Sequence, residues 1–198
     1  MNGIVKSRAA KIALLAIFAA LIVVLQVFGG FLKIGTVSLS FVLIPIVLGG
    51  MVGGVGVGTA LGAVFGVVTV VMGLAGADGF TQYLLNSAPV ATVAVCLVKA
   101  TAAGFLSALV FRMVNKKNVL VATFAAAVVA PVVNTGIFIA GMLLMKTTLL
   151  ALMESFGAGS DVIYFLFIGC AGVNFLVELG LNVVLAPALY RVLKAVVG

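Results

Sequence analysis

The run Val47-Leu48-Gly49-Gly50-Met51-Val52-Gly53-Gly54-Val55-Gly56-Val57-Gly58-Thr59-Ala60-Leu61-Gly62-Ala63-Val64-Phe65-Gly66 decides how this chain folds. Read as one helix, it merges two apolar segments and leaves five membrane crossings. Read as broken at the adjacent glycines of GGMVGG, it leaves six. The break is the better reading. Glycine loses more freedom than any other residue on entering a helix, and paired glycines mark a helix end.

Composition says why crossings are the right unit. The 198 residues are 65% hydrophobic and only 8% charged, with a mean hydropathy of +1.46. Soluble domains carry about 25% charged residues. A soluble core could not hide this much apolar surface, so the solvent is lipid. The chain reads as one transmembrane domain over residues 1–198, an all-α integral membrane protein.

A helix needs about 20 apolar residues to cross a bilayer. Six segments qualify or come near: 9–28, 39–52 with Pro45 inside, 55–74, 84–111 with Pro89 near its start, 119–145 and 161–189. Gly76 to Gly79 make a loop, NKKN a short turn, and residues 146–160 a longer loop with room for a short helix. The first segment is too long for a signal-peptide core of roughly 7–15 residues, so it is expected to be retained.

Charge supports six crossings independently. Lys6, Arg8 and Lys11 open the chain, Arg112, Lys116 and Lys117 lie between the fourth and fifth segments, and Arg191 and Lys194 close it. With six spans all eight fall on one side. The other side has Lys33 and Lys146 with Asp78, Glu154 and Asp161. Lysine and arginine accumulate on the cytoplasmic side, so both termini are expected there. Five spans would split the clusters. The net charge of +7 thus reflects topology rather than nucleic-acid binding.

Against this background stands VAVCLVKATAAG, residues 93–104, with Lys99 in an apolar helix. A charge at the centre of a membrane helix costs about 2.5–3.5 kcal/mol on the insertion scale, so Lys99 must face something other than lipid. It lies 13 residues before Arg112, roughly 20 Å from that end. Glu178 lies 13 residues before Arg191, at the same height of roughly 20 Å. Asn134 is 15 residues beyond Val119, about 22 Å up, with Thr135 beside it. Asn174, Glu178 and Asn182 share one helix face at a spacing of four. Lys99, Asn134, Thr135, Asn174 and Glu178 therefore converge in one layer. Either Lys99 and Glu178 form a pair that locks two helices, or the layer is a polar cavity open to the outside that binds a small solute. A pair could also hold the empty site and exchange for ligand.

Two stripes of small residues concern packing. Gly50, Gly54, Gly58, Gly62 and Gly66 recur every four residues and let backbones approach closely; they read as an internal interface, with Gly53-Gly54 as the turn. Ala9, Ala13, Ala16 and Ala20 make a smooth face on the first helix, suited to internal packing or to a partner helix.

Absences narrow the function. The chain has no G-x-x-x-x-G-K-[ST] phosphate loop and no His, the commonest metal ligand and general base. Cys96 and Cys170 sit in apolar segments and read as buried thiols rather than a disulfide or metal pair. An intramembrane enzyme would have only Glu178 to work with. A self-sufficient secondary transporter would be expected to show inverted repeats, and the two halves show none that convinces. The chain reads as a binder of small solutes without a motor, catalytic residues, metal or cofactor of its own.

These features together resemble the substrate-binding S components of energy-coupling factor (ECF) vitamin transporters, over nearly the whole chain. The alanine pattern of the first helix, the stretch VSLSFVLIPIVLGGMVGGVGVGTALGAVFG (37–66) and APVVNTGIFIAGMLL (130–144) carry the resemblance. It implies six helices in a prokaryotic cell membrane. It also implies a vitamin site built from the fourth to sixth helices and covered by the loop 30–38. Ala9, Ala13, Ala16 and Ala20 would dock on a shared transmembrane coupling subunit, and two partner ATPases would use the ATP. The chain is most similar to pantothenate-specific members, and Lys99 suits a carboxylate ligand. Folate or a hydroxymethylpyrimidine is the alternative. The absence of Trp and the few aromatics expected near the site argue against riboflavin, which would call for ring stacking.

Overall fold

The structure is a computed structural model that describes residues 7–29, 33–34, 37–38, 41–155, 157 and 161–197. Helix α1 spans Arg8–Gly29, α2 Leu43–Gly53, α3 Val55–Leu74, α4 Gly79–Ser87, α5 Pro89–Val114, α6 Val119–Leu144 and α7 Lys146–Ser155. Helix α8, Val162–Tyr164, continues through a π-helical stretch, Phe165–Gly172, into α9, Val173–Val197. Among the described residues the strands are confined to a small antiparallel hairpin, β1 Lys33–Ile34 with β2 Val37–Ser38. It belongs to the loop expected to cover the site; residues 30–32 and 35–36 of that loop lie outside the described residues.

The glycine break falls where it was expected. Gly54 separates α2 from α3 with φ 92°, a backbone that residues with a Cβ avoid. Its N–H donates to the Gly50 carbonyl at 2.9 Å and closes α2.

Six full-length spans are not seen among the described residues. Among the described residues, five helical runs are long and apolar enough to cross a membrane: α1, α3, α5, α6 and Val162–Ala195. The expected second span, 39–52, is instead the 11-residue α2, which rises only about 16 Å in a hydrocarbon layer of roughly 30 Å. Nine of those 11 residues are buried. A helix sheathed by protein on all sides needs neither full length nor a lipid-facing surface, and α2 is the centre of a core rather than a lipid-exposed rod. Leu43, Ile46, Val47 and Met51 pack there with Ile22, Leu61, Phe111 and Leu193.

The expected fourth span, 84–111, is divided at Ala88. Pro89 is the first residue of α5, where its missing N–H costs no hydrogen bond. Leu84 therefore belongs to α4, a separate short helix. The Thr92 hydroxyl lies 2.9 Å from the Leu84 carbonyl and 2.8 Å from that of Ala88, tying the start of α5 to α4. The last span runs on past 189 to Val197. Between α5 and α6, Asn118 of the NKKN turn caps α6 by accepting from Leu120 N and Val121 N at 2.9 and 3.1 Å.

The glycine stripe packs internally. A Cβ on Gly58 would stand 2.7 Å from the Gly104 carbonyl oxygen, and one on Gly62 would strike the Ala100 carbonyl. The backbones of α3 and α5 thus touch, and the complementary stripe is Ala100, Gly104 and Ala108, also four apart. The alanine face of α1 does the opposite. Leu14, Leu15, Phe18 and Ile22 turn inward, while Ala9, Ala13, Ala16 and Ala20 are all exposed. Only 11% of α1's span is buried, against 29–39% for the other four. This helix lies at the edge of the bundle, with these four alanines on its exposed face.

Candidate functional site

A second apolar cluster joins α4, α7 and the π stretch through Leu84, Met142, Leu149 and Leu166. Between it and the α2 core lies a cavity. Its walls come from Gln26 near the end of α1, Phe65 and Thr69 of α3, and Asp78, Phe80, Thr81 and Leu84 in and before α4. Thr92, Val95, Cys96 and Lys99 of α5 continue the wall, followed by Asn134, Thr135 and Phe138 of α6 and Met145 just beyond it. Cys170, Ala171, Asn174 and Glu178 complete it. Each contribution comes from the half of its helix remote from Arg8, Arg112, Lys116 and Arg191. The cavity therefore sits at the end of the bundle opposite the basic clusters. Its free volume is about 80 Å³, enough for several waters or a small solute.

All five residues expected in the polar layer, Lys99, Asn134, Thr135, Asn174 and Glu178, line this one cavity. Helices α5, α6 and α9 rise regularly from the end of the bundle marked by Arg112, Val119 and Arg191, so similar residue counts reach a similar height. Glu178 is 1% exposed. Its Oε1 accepts from Asn174 Nδ2 at 3.1 Å, and its backbone carbonyl accepts from Asn182 Nδ2 at 2.8 Å. Asn182 shares the helix face as expected, but it is buried behind the wall and serves the backbone.

The locking ion pair between Lys99 and Glu178 does not form among the described residues. The two charges are close enough to interact, but Lys99 Nζ sits 5.2 Å above the centroid of the Phe138 ring. Phe138 in turn packs against Phe80, with centroids 6.0 Å apart and planes at 55°. A cation over an aromatic face is stabilised by the ring quadrupole, by about 0.5–2 kcal/mol depending on desolvation. With Phe65, these rings correct the expectation that few aromatics lie near the site.

The acceptors are more telling. Gln26 Oε1, Asn134 Oδ1, Asn174 Oδ1 and Glu178 Oε2 are buried and have no hydrogen-bond partner among the described residues. A buried polar atom left unpaired costs about 1–3 kcal/mol. Four such atoms around one cavity make a surface ready for hydroxyl or amide donors, with one ammonium among them. Asp78 adds a carboxylate that accepts from the Thr81 hydroxyl. Cys96 and Cys170 form no disulfide with each other, as expected, and both line the cavity.

Gln26, Asp78, Phe80, Thr81 and Thr92 were missed. Gln26 had a signal: it is the one polar residue between Lys11 and Gly29, and the reasoning applied to Lys99 finds it too. Asp78 and the α4 residues had none, because they reach the cavity only through the break at Ala88.

A protein-family model described as the ECF transporter, substrate-specific component, matches residues 10–190. The chain belongs to that family. An S component is a transport subunit and not an enzyme, and its family works with a shared transmembrane component and ATPases on vitamin substrates. No curated protein and no solved structure matches the chain. Several long apolar helices accord with a multi-pass membrane subunit.

Proposed function

We propose that this S component captures pantothenate from outside a prokaryotic cell. The observation that carries the reading is one ammonium, Lys99, set among four unpartnered buried acceptors around a single cavity. Pantothenate has one carboxylate, two hydroxyls and an amide N–H. Lys99 takes the carboxylate. Glu178, Asn134, Asn174 and Thr135 take the hydroxyls and the amide. The basic clusters keep both termini cytoplasmic, so the cavity opens outward, with α2 as the short member of six transmembrane helices. The exposed face of Ala9, Ala13, Ala16 and Ala20 meets the shared coupling subunit, and two ATPases on that subunit drive release.

The rings of Phe80 and Phe138 favour a second ligand, a hydroxymethylpyrimidine, whose flat ring would stack there. It would leave Lys99 without a counter-charge, and so ranks behind pantothenate. The test is calorimetric titration of the purified protein in detergent with pantothenate, a hydroxymethylpyrimidine, folate and riboflavin. Saturable binding of pantothenate in preference to the others is expected. Preference for another vitamin would replace the assignment. Uptake into liposomes by the chain alone, without ATPases, would replace the subunit reading with a self-sufficient transporter.

A further inference from the structure

Gln26 stands apart from the rest of its helix. Its neighbours in sequence, Val23, Val24, Leu25, Val27 and Phe28, are apolar, and a leucine at 26 would suit both lipid and core. Instead there is a carboxamide whose Oε1 is buried and has no hydrogen-bond partner among the described residues. It lines the same cavity as Lys99, Asn134 and Glu178. Burying an amide oxygen without a donor is unfavourable, so packing gives no reason for it. A donor brought by a bound solute does.

The inference rests on the reading that this cavity holds the transported solute. On that basis we propose that Gln26 is a ligand-contacting residue, whose Oε1 accepts a hydrogen bond from a hydroxyl or amide N–H of the solute and closes the α1 wall of the site. Gln26 lies about a third of a turn around the helix from Ala20. One peripheral helix thus carries a contact to the solute on one face and the exposed alanines on another.

The experiment is a titration of wild type and Gln26→Leu in detergent with pantothenate, a hydroxymethylpyrimidine and folate, with ligand-free thermal unfolding of both. Gln26→Leu is expected to weaken binding about tenfold and to unfold at the wild-type temperature or above it, since the unpaired amide is gone. Wild-type affinity in Gln26→Leu overturns the proposal and leaves the pantothenate reading standing. Weaker binding accompanied by a clearly lower unfolding temperature also overturns it, because the amide is then structural. If wild type binds a different member of the panel, the pantothenate reading falls, and Gln26 is judged on that vitamin by the same tenfold criterion. If wild type binds none, both fall. Where Gln26→Leu does not purify, Gln26→Met, which keeps the length without the amide, is judged in its place.

Discussion

Lys99 and Glu178 line one cavity from two different helices without closing into an ion pair. Lys99 Nζ rests 5.2 Å over the Phe138 ring, and Glu178 Oε1 is held by Asn174 Nδ2 at 3.1 Å. Each charge is positioned by a neighbour of its own, which keeps opposite signs apart in a space where they would otherwise attract. A closed pair would have to break before a solute entered. An open one presents an ammonium to an anionic end and a carboxylate to a donor-bearing end of the same small molecule.

The first prediction concerns the ammonium. Lys99→Ala is expected to weaken pantothenate binding by more than tenfold, or about 1.4 kcal/mol. Phe138→Leu should cost less, two- to tenfold, because it removes only the ring beneath the charge. Calorimetric titration in detergent measures both. Affinity unchanged in Lys99→Ala would remove the lysine from the site's chemistry and leave it a structural charge.

The second concerns the carboxylate. Hydrogen bonds to charged groups contribute about 1.5–3 kcal/mol net, so Glu178→Gln is expected to weaken binding about tenfold or more. The same change should leave thermal unfolding unaltered or raise it, since a neutral amide is less costly to bury than a carboxylate. Intact binding with a lowered unfolding temperature would instead mark Glu178 as a structural group.

These expectations could be framed from sequence because the long helices obey simple rules. Lys99, Asn134 and Glu178 could be placed at one height because α5, α6 and α9 are regular enough for counted rise to survive folding. Gly54 could be read as a break because its backbone conformation is a local property of glycine. Shorter elements were less legible. The length of α2 depends on its being buried on nearly every side, which no local pattern announces. Division of the fourth segment at Ala88 depends on the backbone leaving the helix there, at φ −146° and ψ 70°, and a proline near a helix start does not by itself say that another helix precedes it. Asp78 and Phe80 enter the cavity only because that break turns α4 back over α5. The π stretch at Phe165–Gly172 has no signature in the sequence that was available to find it.

The third prediction follows from the contact of α3 with α5. Gly62→Val places a side chain against the Ala100 carbonyl, whereas around Gly56 no atom lies within 4 Å of an added Cβ. Overpacking costs about 1–3 kcal/mol, and here the obstacle is backbone, which yields less than a side chain. Gly62→Val should therefore lower thermal stability in detergent clearly. Gly56→Ala should hold or raise it, as alanine is the better helix former by up to about 1 kcal/mol. Equal tolerance at both positions would mean that the two helices do not touch along the glycine stripe.

The fourth prediction separates docking from folding. Ala13 and Ala16 are exposed on the helix with the least buried span of the five, so a tryptophan at either can turn outward from the fold. Ala13→Trp and Ala16→Trp should leave vitamin affinity and thermal stability near wild type. Against a partner helix, the same indole fills space that small residues leave for close backbone approach, so both variants should fail to co-purify with the shared transmembrane subunit and its ATPases. Two assays on each variant, titration of the isolated chain and co-purification of the complex, give the answer. Loss of vitamin binding together with assembly would place the alanines in the interior of the fold. Retention of both would move the docking surface to another face of the molecule.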